Sequence, residues 1–297
     1  MGRGAVAGGS PLTVQAGLHA LSLGGNAVDG AIAASLMACV AEPLLTGLGG
    51  AGLAIIRMGD CTEVCDMFTN APGKGAPGVE RPDMKTILLD FGPTTQTFHV
   101  GPASVAVPGL PAGLRALHAR YSTLPLATLA RPAIESARKG YLVPLGFERV
   151  GRLLWPIQLE SAETARIFGP NGERPWRAGD WFSCPPLADT IERYVSTDEP
   201  LFSASSGNGL PLLDTLRGHT ALTEDDLQSY EPRFRPALSA SYRDARVHVP
   251  GSPSVAGILI LRALAHLEAG GPMPAALTGA SRSRGGIRTR TRPAFKR

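Results

Sequence analysis

The apolar positions of the chain change period several times, and each change marks an element. Ser10-Pro11 places a capping side chain ahead of a proline at the first helical position. Leu18, Leu21 and Leu23 then lead to Gly24-Gly25, a C-terminal stop. The stretch "GGNAVDGAIAASLMACVAEP" that follows is apolar on nearly every face and predicts a buried helix ended near Pro43. Two consecutive helices, one buried all round, imply a layered fold with the second helix sandwiched. In "GLAIIRMGDCTEVCDMF", β-branched and apolar residues on both sides of Met58-Gly59-Asp60 predict a β-hairpin. "NAPGKGAPG" reads as loop, and "TQTFHVGPASVAVPG" as one strand or two.

Two short helices follow, in "LPAGLRALHARYSTLP" and "LATLARPAIESARKG", with Pro132 expected to kink or restart the second. Residues 145–240 read as mostly helical, and Thr223 and Asp226 have the capping-box spacing of a helix start. "RPALSASYRDARVHVPG" returns to strand, and "SPSVAGILILRALAHLEAGG" predicts a further buried helix. Beyond Pro272 the periodicity stops.

Composition refines this picture. With 297 residues, 43% hydrophobic and 18% charged, the chain can bury a substantial core as one large domain or two small ones. The formal charge of +4 is misleading, because residues 281–297 hold six Arg and one Lys without an acid. Removing those seven from the 29 basic residues leaves 22 against 25 acidic, a net charge of −3. Cys61 and Cys65, four apart in a strand, would lie roughly 13 Å apart, too far for a disulfide. The four cysteines therefore read as free thiols, which suits a reducing compartment. "MGRGAVAGGSPLT" has no apolar signal region, and the apolar run Ala27–Ala41 is too short for a membrane span and carries Asp29. A cytoplasmic protein is expected.

Gly47, Gly49 and Gly52 spell G-x-G-x-x-G, the fingerprint of a dinucleotide turn. That site requires a strand before the glycines and a helix after them. Here a helix precedes and a strand follows, so the glycines are expected instead to let the turn pass close to another backbone. There is no G-x-S-x-G elbow, P-loop or H-E-x-x-H motif. His19, His118 and His266 fall within helices. The cluster of Thr94, Thr95, Thr97 and His99 is explained by strand alternation, and Asp29 reads as a helix-start or loop carboxylate. No metal and no cofactor is expected.

The run "GGNAVDGAIAASLMACVAEPLLTGLGGAGLAII" resembles the N-terminal part of gamma-glutamyltransferases and related acylases. The likeness continues through "GPASVAVPGLPAGLRALHARYSTLPLATLARPAIESARKGY". It persists more loosely in "ALTEDDLQSYEP" and "SYRDARVHVPGSPSVAGILILRALAHLE", so it covers residues 4 to about 270. The resemblance implies an α+β, N-terminal-nucleophile fold, a four-layer αββα sandwich made as one precursor. Self-cleavage frees a threonine whose own α-amine serves as base, backbone amides stabilise the oxyanion, and acyl transfer runs from a γ-glutamyl donor such as glutathione to water or an amino acid.

Two departures accompany the likeness. In the family the nucleophile lies in the small chain, beyond the match, and nothing here corresponds to it; the Thr94-Thr95 pair lies inside the large-chain match and is not a candidate. No catalytic residue is therefore assigned. The family's large chain typically reads D-F-R-E-x-A-P, with the arginine gripping the substrate carboxylate. Aligned on Asp66 and Ala71-Pro72, Phe68 replaces that arginine and Thr69 the glutamate, so Phe68, Thr69 and Asn70 are the candidate substrate-binding positions. Arg57 on the preceding strand is the cation that could substitute from another direction.

The expectation is a large-chain domain over residues 1–272, inactive alone. It reads first as a non-catalytic remnant; with a separate small chain it would act on a γ-glutamyl or other amide substrate, without a membrane. The Arg-rich tail 273–297 reads first as an out-of-frame extension, then as a solvated tail; nucleic-acid binding through phosphate neutralisation is the least favoured reading.

Overall fold

The computed structural model describes residues 4–75, 84–203, 209–216 and 218–270. They fall into two compact units, Met1–Pro236 and Ala237–Arg297. The expected tail, 273–297, lies outside the described residues.

The first unit opens with α1 (Pro11–Ser22), capped at Ser10 as its sequence predicts, and α2 (Ala27–Ala41), capped by Asn26. Ser10 Oγ accepts the Leu12 amide, and Asn26 forms a capping box with Asp29. The face of α1 that packs is small rather than leucine-rich: Thr13, Ala16, Gly17 and Ala20 are buried while Leu18 is exposed. Gly17 and Gly30 allow the crossing, since a Cβ on Gly17 would stand 3.0 Å from the Gly30 carbonyl. Ile32, Leu36 and Val40 of α2 are completely buried, so the sandwiched helix is where the pattern put it.

The predicted hairpin is β1 (Gly52–Met58) with β2 (Cys61–Met67), turning at Gly59-Asp60 with Gly52 opposite Met67. A second hairpin joins β3 (Lys85–Asp90) to β4 (Thr95–Val100), and a 3-10 turn at Pro102–Ser104 stands where a further strand was allowed. Then come α3 (Leu110–Tyr121) and α4 (Leu126–Lys139). Pro132 neither breaks nor restarts α4, which runs through it. Leu129 and Ala130 before the proline and Ala133 and Ala137 after it are buried in one core, and that shared burial holds both halves in one helix.

The remaining elements of the unit are β5 (Tyr141–Leu142), α5 (Leu145–Gln158), α6 (Ala162–Phe168), β6 (Trp181–Phe182), α7 (Pro185–Ser196), α8 (Gly209–Leu216), α9 (Glu224–Gln228) and β7 (Arg233–Pro236). β7 pairs antiparallel with β2, completing a three-stranded sheet of order β1-β2-β7. One continuous core runs from Ile56, Cys65 and Met67 of this sheet through α2, α3 and α4 to Ile191 and Tyr194 of α7. Two buried tyrosines tie it together: the Tyr141 hydroxyl donates to the Val40 carbonyl at 2.6 Å and the Tyr194 hydroxyl to the Pro111 carbonyl at 2.8 Å.

Asp29 is fully buried and does what a helix-start carboxylate can do, extended to a distant turn. It accepts from the Asn26 amide (2.8 Å), the Thr123 hydroxyl (2.7 Å) and the amides of Thr123 and Leu124 (3.1 and 3.2 Å). Burial alone would raise its pKa, but these donors together hold the carboxyl below its ordinary 3.8.

The second unit holds the hairpin of β8 (Leu238–Tyr242) and β9 (Ala245–Val249), then α10 (Val255–Glu268). The expectation of a buried helix fails here. Val255 is 68% exposed and Leu259 58%, and Gly257 is the one buried residue of α10 among the described residues. One short hairpin has a single face to offer, and a helix apolar all round needs cover on every side.

Candidate functional site

The candidate positions lie where β2 ends and the chain turns away from the sheet. Phe68 is 46% exposed, Thr69 half-buried and Asn70 exposed. Their backbone is held on either side of Thr69. The Phe68 amide donates to Asp66 Oδ1 at 3.1 Å, and the Tyr230 hydroxyl donates to the Phe68 carbonyl at 2.7 Å. Two residues on, the Asn70 carbonyl accepts the Val107 amide at 3.0 Å, forming a single antiparallel bridge.

Beneath this turn the N-terminus of α3 comes close. A Cβ on Gly109 would overlap the Met67 carbonyl and the Tyr230 hydroxyl, and one on Gly113 would overlap the Met67 side chain. The Gly109 and Leu110 amides both donate to the Gly50 carbonyl at 3.0 Å. The glycine loop therefore reaches this place through one carbonyl. Gly47 and Gly49 themselves have open space where a Cβ would stand, so the close approach expected of them is found at Gly109 and Gly113 instead.

The electrostatics are closely balanced. Arg235 on β7 stands 3.2 Å from Asp66 Oδ2, so its charge is opposed by a carboxylate that is itself capping the Phe68 amide. Burial, with smaller contributions from Asp66 and Cys65, pushes the Tyr230 hydroxyl up to about 12, which keeps it a donor at neutral pH. Burial likewise raises the Cys65 thiol to about 11, leaving it unreactive beneath the sheet.

Arg57 does not reach this place. It pairs across from Thr62 at the hairpin turn, and its Nε donates to the Gly59 carbonyl at 3.3 Å. Six residues of strand separate Thr62 from Phe68, about 20 Å of extended chain. Thr94 and Thr95 lie at the exposed turn of the second hairpin, Thr94 between the strands and Thr95 at the start of β4. His19, His118 and His266 sit in α1, α3 and α10 as read. Among the described residues no group of His, Cys, Asp and Glu could hold a metal ion, and no helix is long and apolar enough to cross a membrane. A cavity of about 810 Å³ lies elsewhere, between α1, α2 and Gly4–Gly9. Its walls are mainly glycine and alanine, and a hydrogen bond from the Thr13 hydroxyl to Glu42 crosses it at 2.6 Å.

The sequence profile of gamma-glutamyltranspeptidase matches residues 13–280. The chain belongs to that family. It is 32% identical over 279 residues to an acylase ACY 1 proenzyme of Pseudomonas sp. (strain V22), covering 90% of this chain and 48% of that one. To the glutathione hydrolase proenzyme of Bacillus subtilis it is 28% identical, covering 89% of this chain and 44% of that one. The chain thus spans about half the length, or less, of these curated relatives.

Among solved structures, the Helicobacter pylori gamma-glutamyltranspeptidase superposes with a TM-score of 0.78 at 25% identity, over 95% of this chain and 79% of that one. The Bacillus anthracis transpeptidase CapD gives 0.73 at 26% identity, over 91% and 83%. The fold is accordingly the N-terminal-nucleophile, αββα type, and the chain carries its large-chain portion.

The sequence pointed to the loop as a candidate and missed what holds it. Tyr230, Arg235, Val107 and Gly109 all act on it from distant positions. One signal was available: Tyr230 closes the same "ALTEDDLQSYEP" stretch whose capping box marks Thr223 and Asp226.

Proposed function

We propose that this chain is the large-chain half of an amide acyl transferase or hydrolase, completed by a small chain that brings the threonine nucleophile. In this reading the loop Phe68–Asn70 lines the acyl pocket and accepts an uncharged acyl group, as an acylase would. One observation carries it: Phe68 offers an exposed phenyl ring where the family pattern has an arginine, and the neighbouring Arg235 is already opposed by Asp66. A phenyl ring cannot pair a carboxylate, whereas a guanidinium forms two parallel bonds with one. The similarity to named acylases from two Pseudomonas strains agrees with this. The chain supplies the pocket wall and, in this reading, none of the nucleophile or its base. It should therefore show no turnover by itself.

A γ-glutamyl donor is the second reading, favoured by glutathione hydrolases that match over nearly the same span. The two separate in one assay. The chain is co-expressed with the small-chain portion of a relative and offered a γ-glutamyl anilide and an uncharged acyl anilide. Faster release from the uncharged anilide is expected; preference for the γ-glutamyl anilide would favour the second reading, and a folded complex that cleaves neither would overturn both.

A further inference from the structure

The candidate loop is held from its far end by a short helix about 150 residues later in the chain. Asp226 of α9 is buried, and its carboxylate accepts the Gly73 amide at 2.8 Å through Oδ2 and the Lys74 amide at 3.0 Å through Oδ1. The same carboxylate closes the capping box of α9, taking the Thr223 amide at 3.0 Å. The Thr223 hydroxyl lies 2.9 Å from the Lys74 carbonyl and 3.0 Å from Asp226 Oδ2, and can donate to either. Four residues beyond Asp226, Tyr230 donates to the Phe68 carbonyl. One segment of eight residues therefore grips both ends of the stretch Phe68–Lys74.

Local needs do not require this. A capping box is complete with its own Thr and Asp, and Tyr230 gains nothing for α9 by reaching the end of β2. The loop does require it. Gly73 and Gly75 both have positive φ, 113° and 74°, and the loop buries little apolar surface, so polar contacts must fix its course.

We propose that Thr223, Asp226 and Tyr230 are positioning residues for the acyl pocket, setting where Phe68 stands relative to the bound acyl group. The inference rests on the reading of Phe68–Asn70 as the acyl-binding loop, and its test has an arm that does not.

In the full chain, amide hydrogen exchange is followed across 67–75 and across α4 and α7 in the wild type, Asp226→Ala, Thr223→Ser and Tyr230→Phe. Asp226→Ala should speed exchange at Gly73 and Lys74 by about tenfold, the scale of a hydrogen bond to a charged acceptor, with α4 and α7 unchanged. Thr223→Ser, which keeps the hydroxyl, should behave as wild type. Unchanged exchange at Gly73 and Lys74, or equal acceleration in α4 and α7, would overturn the clamp. In the complex with a small chain, Tyr230→Phe should raise KM for the acyl anilide severalfold with kcat nearly unchanged, because binding geometry and not chemistry is disturbed. An unchanged KM would overturn the positioning role. A wild-type complex without turnover would remove the functional reading, while the exchange arm still decides the clamp.

Discussion

The helical stack of α1, α2, α4 and α7 and the loop Phe68–Gly75 are held by opposite means. In the stack, alanines, glycines and leucines interlock, and most stabilisation comes from surface removed from water. In the loop, apolar burial is slight, and hydrogen bonds to Val107, Asp226 and Tyr230, far along the chain, together with one to nearby Asp66, define the path. A packed stack resists substitution at nearly every position. A loop held by its backbone leaves its side chains free to change, which is why phenylalanine can stand at position 68 without disturbing the fold. The scaffold can therefore stay constant while the side chains of the loop change.

The largest expected effect strikes the one polar group that the stack cannot lose. Asp29→Ala leaves the amides of Asn26, Thr123 and Leu124 buried without an acceptor and should cost about 4 kcal/mol, at roughly 1–3 kcal/mol for each stranded donor less some relaxation. Its pH dependence follows from the sign of the shift. The folded carboxyl lies below the ordinary 3.8, so its stabilisation is fully present above that pH and is lost as pH falls through the folded value. Thermal melts of wild type and Asp29→Ala should thus stay well separated down to about pH 4 and converge below it. A gap independent of pH would show that the charge is irrelevant.

Next in size is a cavity in the same stack. Ile32 is 0% exposed, and Ile32→Ala should cost about 3 kcal/mol in denaturant unfolding. A loss nearer 1 kcal/mol would mean that the α1–α2 packing collapses to fill the space. At the small end, Arg138 bridges α4 to Glu192 and Asp189 of α7 at the surface. Exposed pairs of this kind contribute little, so Arg138→Gln should leave the melting temperature within the scatter of replicate runs. A clear drop would make the helical layer more electrostatic than this account allows.

The same contrast governs what the sequence discloses. Caps and periods are local, so Ser10-Pro11, Gly24-Gly25, the apolar run ending near Pro43 and the Thr223–Asp226 box located α1, α2 and α9 closely. The hairpin turn at Gly59-Asp60 was equally legible. The restart allowed at Pro132 does not occur, because its local tendency to interrupt a helix is outweighed by burial on both sides of it. The segment of α10 misled: its composition demanded burial that its own unit does not provide. At the site, the resemblance pointed to Phe68, Thr69 and Asn70. Tyr230, Arg235 and the second use of Asp226 have no signature in spacing, because each acts across more than 150 residues of chain.

The most direct measurement compares wild type with Phe68→Arg, each in complex with a small chain, on an uncharged acyl anilide and a γ-glutamyl anilide. Phe68 is an exposed loop residue whose tethers are all made by its backbone, so the substitution should shift stability by no more than about 0.5 kcal/mol. The wild type should favour the uncharged anilide, and Phe68→Arg should move the ratio of kcat/KM values toward the γ-glutamyl anilide by about tenfold or more, the scale of one bidentate carboxylate pair. An unchanged ratio in a stable, active complex would show that position 68 does not face the acyl group, and would contradict the placement of the site.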